Sequence, residues 1–155
     1  MDFLNPYVGA LHALAAIIWV GGMFFAYVIL RPALVAFEPP ERLKVWAGVF
    51  PKLFAWAWAS AIALLLSGLW LIFWVIGGLK GMPPHVKPMM GLGMLMIFIL
   101  FYIFSGPYED FKKAVAKDNW PQAGGHLNKI RQYVLINLII GLITSAIGAS
   151  GRLWG

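Results

Sequence analysis

Residues 6–30 read PYVGALHALAAIIWVGGMFFAYVIL and contain no Asp, Glu, Lys or Arg. About 20 apolar residues allow a helix to cross the roughly 30 Å hydrocarbon core of a bilayer. This stretch therefore predicts a membrane-spanning helix. His12 lies well inside the apolar run, and an ionisable side chain at membrane depth indicates a functional site by default. His12 is the first candidate site residue.

Three further stretches repeat this pattern, at about residues 51–76, 86–105 and 130–149. The composition agrees, because 61% of the residues are hydrophobic and only 12% are charged, whereas soluble domains carry about 25% charged residues. The sequence predicts an all-α integral membrane protein. We expect one domain over residues 1–155, an antiparallel bundle of four transmembrane helices. The start of the chain lacks the basic region of a cleaved signal peptide, so the first span is expected to stay in place.

The basic residues divide unequally between the two sides of this four-span arrangement. Nine of the twelve Lys and Arg fall on one side and three on the other. Because positive loops stay in the cytoplasm, both termini are predicted to face the periplasm from a bacterial inner membrane. A basic collar against anionic lipid accounts for the net charge of +6. No nucleic-acid partner is expected; the lipid bilayer is the predicted partner.

Two of the three histidines are predicted to share the outer side of the bundle. His12 lies near the start of the first span and His85 at the mouth of the third, and these spans begin at the same membrane face. His12 is expected to lie roughly 6–10 Å along its helix, at about 1.5 Å per residue, and His85 nearer the surface. His126 precedes the fourth span and belongs to the opposite face.

A pair of imidazoles across a helical bundle is typical of a haem b site. The sequence predicts His12 and His85 as ligands of the haem iron, with Trp19 among the apolar walls. Lys87 and Arg152 are placed to pair with the propionates. A covalently attached haem is excluded because the chain has no Cys. The predicted role is membrane electron transfer with a quinone or another redox partner.

Methionines near His85 support a second hypothesis, the handling or import of copper. Met82, His85, Met89 and Met90 cluster on the outer side, with His12 in reach as a further ligand. Thioether sulfur and imidazole nitrogen form a ligand set that suits Cu(I). Met is also a common apolar filler of helix interfaces, so the same residues are compatible with packing alone.

Small residues at four-residue spacing predict close helix packing. Ala59, Ala63 and Ser67 follow this spacing in the second span, and Gly141 and Ser145 follow it in the fourth. These faces also fit an accessory subunit of a larger membrane complex, or a homo-oligomer. The sequence contains no paired carboxylates and no phosphate loop, which makes hydrolytic chemistry improbable.

Several segments resemble small four-helix members of the copper resistance D (CopD) family. The resemblance lies in residues 11–25, Arg31-Pro32, His85-Val86-Lys87, residues 118–121 and residues 131–137. The wider group includes the HemJ-type protoporphyrinogen oxidases, whose first span has a similar His-x6-Trp-x2-Gly pattern and whose third begins with a similar His-x-Lys. Here these positions are His12, Trp19, Gly22, His85 and Lys87.

The resemblance implies different functions in its two branches. The copper branch implies uptake or handling of copper in the periplasm. The HemJ branch implies a bound haem b and an oxidoreductase that acts on a porphyrinogen, although Arg31 lies further along the chain than the arginine of that branch. Enzymatic activity is therefore left open at this point.

Overall fold

The computed structural model describes residues 2–153, and all the regular structure in this range is helical. Short 3₁₀ turns lie at Asp2–Leu4, Leu34–Ala36, Leu79–Gly81 and Gly151–Leu153. The longer helices are α1 (Asn5–Phe24), α2 (Pro39–Trp70), α3 (Val86–Ser105), α4 (Pro107–Ala116) and α5 (Trp120–Ser150). No sheet forms among the described residues.

Four helical stretches are long and apolar enough to cross a membrane. They cover Asn5–Ala36, Pro39–Val75, Val86–Ala116 and Trp120–Ser150. Their outward side chains are apolar and exposed, as Leu14, Ile17 and Phe98 illustrate. Such a surface is stable against lipid and costly against water. The chain is therefore a multi-pass membrane protein.

Proline marks the beginning of several helices. Pro6, Pro39, Pro107 and Pro121 each lie in a first turn, where the missing N–H has no partner in the helix anyway. At the start of α5 the side chain of Asn119 also accepts a hydrogen bond from the Gln122 N–H, at 3.2 Å. These local signals place the helix starts.

The ends of α1 and α2 both widen into a π-helical turn. The first continues through Phe25–Leu30 into a short helical turn at Arg31–Ala33, and the second continues through Leu71–Val75. The chain then leaves the second turn through Gly77 and Gly78, whose φ angles are 86° and 98°. Only Gly adopts such angles without strain.

The helices pack as two pairs that meet along α5. Helix α1 packs along α2, and Asn5 near its start accepts a hydrogen bond from the Trp70 indole N–H at 3.2 Å. Helix α3 packs along α5, and α1 also contacts α5. The short helix α4 packs against the first half of α5.

The densest packing lies at one end of the bundle, where most of the Lys and Arg side chains also lie. We call this the basic end, defined by Arg31, Arg42, Lys112 and Arg131. Its core is a group of aromatic rings in contact with one another: Trp46, Phe50, Phe54, Phe104, Tyr108 and Phe111. Phe50 and Phe111 are almost fully buried, so this end is held by apolar and aromatic contacts.

The opposite end carries His12 and His85, and we call it the histidine end. Its packing is looser in the described part of the chain. No residue of 5–14 in α1, of 86–95 in α3 or of 142–150 in α5 is fully buried. The buried groups at this end are Ser67 of α2 and Ile72 of the π-helical turn that follows it. Polar side chains at the histidine end therefore have room to face one another.

The two helix pairs are brought into register at Gly141 of α5. A methyl group placed there would lie 2.9 Å from Val20 Cγ2 of α1 and 3.0 Å from Met96 Cε of α3. Both distances are shorter than van der Waals contact, so a larger residue requires the Val20 and Met96 side chains to move. Three helices thus meet at one level of the bundle.

We predict that Gly141→Val lowers the thermal stability of the protein in detergent. The added side chain must push α1 or α3 away, and overpacking of this kind costs about 1–3 kcal/mol. The measurement is the unfolding temperature followed by circular dichroism. Gly91→Val is the matched control, because Gly91 is exposed and has no neighbour within 4 Å of an added Cβ. An equal decrease in unfolding temperature in the two variants would contradict the close packing at Gly141.

Candidate functional site

His12 is held by α2 rather than by another histidine. It lies half-buried on α1, and its Nδ1 atom is 2.8 Å from the Ser67 hydroxyl. The same hydroxyl oxygen lies 2.5 Å from the carbonyl oxygen of Ala63 and 3.3 Å from that of Leu64. Ser67 itself is buried. The imidazole is therefore fixed by a chain of hydrogen bonds.

These contacts favour one tautomer of the imidazole. A Ser hydroxyl has one proton, and a carbonyl oxygen can only accept. The Ser67 hydroxyl must donate to the Ala63 carbonyl, so at Nδ1 of His12 it acts as acceptor. The His12 Nδ1–H is then the donor, and in the neutral ring Nε2 keeps its lone pair. A histidine oriented in this way is ready to act as a metal ligand through Nε2.

Gly68 makes room for the His12 ring. A methyl group built on Gly68 would lie 3.3 Å from the ring Cε1 atom and 3.8 Å from Nδ1. The ring therefore lies against bare backbone on this side. Two adjacent residues of α2 therefore contact the His12 side chain. Ser67 binds its Nδ1 atom, and Gly68 leaves space for its ring.

His85 lies on a different part of the histidine end. It immediately precedes α3, and its ring packs so closely on Gly151 that a methyl group there would overlap it. Lys87, the second residue of α3, is exposed. Arg152 belongs to the 3₁₀ turn that follows α5, and its side chain lies outside the described residues. The predicted pairing of His12 with His85 is not seen as a contact.

Met89 lies at the depth of His12. Along α1, His12 is eight residues from Val20, and along α3, Met89 is seven residues from Met96. Val20 and Met96 share the Gly141 junction, so a rise of about 1.5 Å per residue puts both side chains about 10–12 Å from it. His85 lies one turn, about 6 Å, further out.

The methionines Met82, Met89 and Met90 have different surroundings. The Met89 side chain packs on α5, because a methyl group on Gly148 would lie 2.9 Å from its Cε and 3.5 Å from its sulfur. Met90 is 44% exposed and lies on the outer face of α3. Met82 is half-buried before the helix. Of the methionines in the predicted copper set, Met89 shares a helix face with His85, four residues away.

Trp19 lies deeper than the histidines and belongs to the apolar core, with 4% of its surface exposed. At the histidine end, Trp70 and Trp74 stack with ring centroids 5.0 Å apart. Trp74 is largely exposed, so this pair lines the outside of the bundle. Exposed aromatic surface at this end is supplied by Tyr7 of α1 and by Phe73 and Trp74 of the π-helical turn after α2.

His126 lies at the basic end, in a surface cleft that it shares with Asp110, Lys113, Lys117 and Gln122. The His, Asp and Glu side chains within residues 2–153 nowhere form a group of three that could hold a metal ion. A site built from carboxylates is therefore not available in this range. The remaining donors are single imidazoles and thioethers, which fit soft metals or a haem iron.

The chain matches the family model described as "Copper resistance protein D" over residues 47–150. It belongs to the CopD family. This confirms the resemblance to that family, which associates the chain with copper resistance. The matched segment contains Ser67, His85 and Met89 and begins after His12. No curated protein and no solved structure matches the chain.

The serine that holds His12 could not be assigned from the sequence. Ser67 ends the run of small residues Ala59, Ala63 and Ser67, which predicts close packing of helices. The missing information was which helix packs there: once α1 lies against this face, a hydroxyl at its last position meets His12. The sequence feature that points to Ser67 is a polar residue within a row of small residues.

We predict that Ser67→Ala shifts the tautomer balance of His12. Loss of a hydrogen bond worth about 1 kcal/mol lowers the preference for Nδ1–H about fivefold. The ¹⁵N shifts of labelled histidine report it, since the chain has three His. Ser60→Ala, which removes another buried hydroxyl of α2, is the control. An unchanged His12 signal in Ser67→Ala would refute the assignment.

Proposed function

We propose that this CopD-family protein handles copper at the histidine end, with Cu(I) bound by Nε2 of His12 and the thioether of Met89. The observation that carries the proposal is the Ser67 contact, which leaves Nε2 of His12 as a lone-pair donor. Imidazole and thioether together suit Cu(I). The family membership points in the same direction.

His85 and Met82 extend this site towards the end of the bundle. His85 lies about one turn outside Met89 on the same helix face, and Met82 precedes it. A Cu(I) ion that enters from the surface meets His85 and Met82 first, and His12 with Met89 next. Stepwise exchange between soft ligands allows an ion to move without being released into the apolar interior. We assign copper as the cargo of the protein.

We propose that the histidine end faces the periplasm and the basic end the cytoplasm of a bacterial inner membrane. The nine to three division of Lys and Arg supports this orientation. An antiparallel arrangement is supported by the contacts of Asn5 with Trp70 and of His12 with Ser67. Both termini then lie outside, on the side where copper would arrive.

We predict that His12→Ala and Met89→Leu each weaken Cu(I) binding at least tenfold, or about 1.4 kcal/mol. Met89→Leu keeps the side-chain volume, so packing on Gly148 is largely preserved. The measurement is competition between the purified protein and a chromogenic Cu(I) chelator under anaerobic, reducing conditions.

The matched controls are Met90→Leu and His126→Ala. Met90 is the neighbour of Met89 on the exposed face, and His126 lies at the basic end. Both variants should bind Cu(I) as the parent protein does. If Met90→Leu weakens Cu(I) binding as much as Met89→Leu, the position of the thioether does not matter. The proposed site at Met89 would then be wrong.

The second candidate function is electron transfer through a haem b with His12 as an axial ligand. The same Ser67 contact favours it, because axial histidines donate their second N–H to a fixed acceptor. Met89 at the same depth, or His85 further out, would supply the opposite ligand, and the exposed Lys87 would pair with a propionate. When bound, the haem would supply one-electron chemistry with a quinone or another redox partner.

An oxidised-minus-reduced visible spectrum separates the two functions. For copper handling, we expect protein purified from haem-replete cells to show no Soret, α or β bands. Sharp α and β bands on reduction, lost in His12→Ala, would establish the haem function instead. The His126→Ala variant controls for loss of the cofactor through general destabilisation, since His126 lies away from the site.

A further inference from the structure

Arginines from three different helical segments converge at the basic end. Arg31 follows the π-helical turn of the first span, Arg42 lies in the first turns of α2, and Arg131 lies in α5. Arg31 and Arg131 line one narrow cleft together with Tyr27 and Trp46. The positive charges of Arg31 and Arg42 both act on Arg131.

None of these three arginines has an acidic partner within residues 2–153. The ion pairs of this range are Lys112 with Glu109 and Lys113 with Asp110. Arg31 instead lies over the ring of Tyr27, 4.9 Å from its centroid. The Nε atom of Arg131 is shielded from solvent and makes no hydrogen bond to the described residues.

This arrangement is unfavourable for the protein alone. A shielded N–H donor without an acceptor is unfavourable, and like charges held together repel one another. An anion with several oxygen atoms would offset the repulsion between the guanidinium groups. Phosphate fits best, since the planar guanidinium group donates two parallel hydrogen bonds to its oxygens.

We propose that Arg31 and Arg131, which line the cleft, bind one phosphate group at the basic end, either the headgroup of an anionic lipid or a free phosphate. The free space inside the cleft is about 20 Å³, enough for one water molecule. The phosphate therefore sits at the mouth of the cleft. Basic pockets between transmembrane helices bind lipid headgroups in this way. The site is separate from the histidine end and independent of copper.

The test is native mass spectrometry of the detergent-purified protein with added phosphatidylglycerol. We expect the parent protein to retain one lipid, and Arg131→Gln to lower the retained fraction about tenfold, as for loss of a charged hydrogen bond. Lys117→Gln is the matched control, because it removes one positive charge from an exposed position of the same end. It should retain lipid as the parent does. Arg31→Gln repeats the test if Arg131→Gln does not fold.

Equal losses in Arg131→Gln and Lys117→Gln would overturn the site, because diffuse charge would then explain the binding. Failure of the parent protein to retain lipid, together with no stabilisation by inorganic phosphate in a thermal melt, would also overturn it. Stabilisation by millimolar inorganic phosphate that is lost in Arg131→Gln supports a free phosphate as ligand. Lipid retention that inorganic phosphate does not reverse supports the headgroup.

Discussion

The contact at Gly141 fixes how deep the side chains of α1 and α3 at the histidine end lie relative to one another. Val20 and Met96 reach the same glycine from opposite helices, so α1 and α3 cannot slide along α5 independently. Shifting either helix by one turn would move its side chains by about 5.4 Å. The alignment of His12 with Met89 therefore depends on Gly141, a residue without a side chain.

The hydrogen bonds of Ser67 allow the polar His12 side chain to lie within an apolar bilayer. In hydrocarbon a polar group without a partner is costly, and the imidazole of His12 brings a donor and an acceptor. Ser67 satisfies the donor while its own proton is taken by the Ala63 carbonyl. The acceptor nitrogen is the group left for a ligand. The same contacts that satisfy the histidine donor leave its other nitrogen available, which is the basis of the proposed role as a metal ligand.

The sequence was informative about helices and less so about partners. Apolar runs indicate four membrane-crossing helices, and such helices are found; His12 stands out because an ionisable group in hydrocarbon is rare. The partner of His12 depends on which helices touch, and spacing within one helix carries no such information. Met89 and Met90 are adjacent in sequence, yet one packs inward and the other is exposed. The sequence predicted His12 deeper than His85, and the register at Gly141 likewise places them about one turn apart; their pairing at one haem iron stays a prediction.

The two ends of the bundle are linked through the helices they share. The first span carries His12 near one end and Arg31 towards the other, and α5 carries Arg131 in its first half and Gly148 near its end. Arginines held at one interface oppose movement of either helix through the bilayer, because their transfer into hydrocarbon is costly. The rigid aromatic core beside them leaves the loosely packed histidine end as the part able to adjust. The proposed copper site would lie in this more loosely packed part, where ligands can exchange while the helices stay in place.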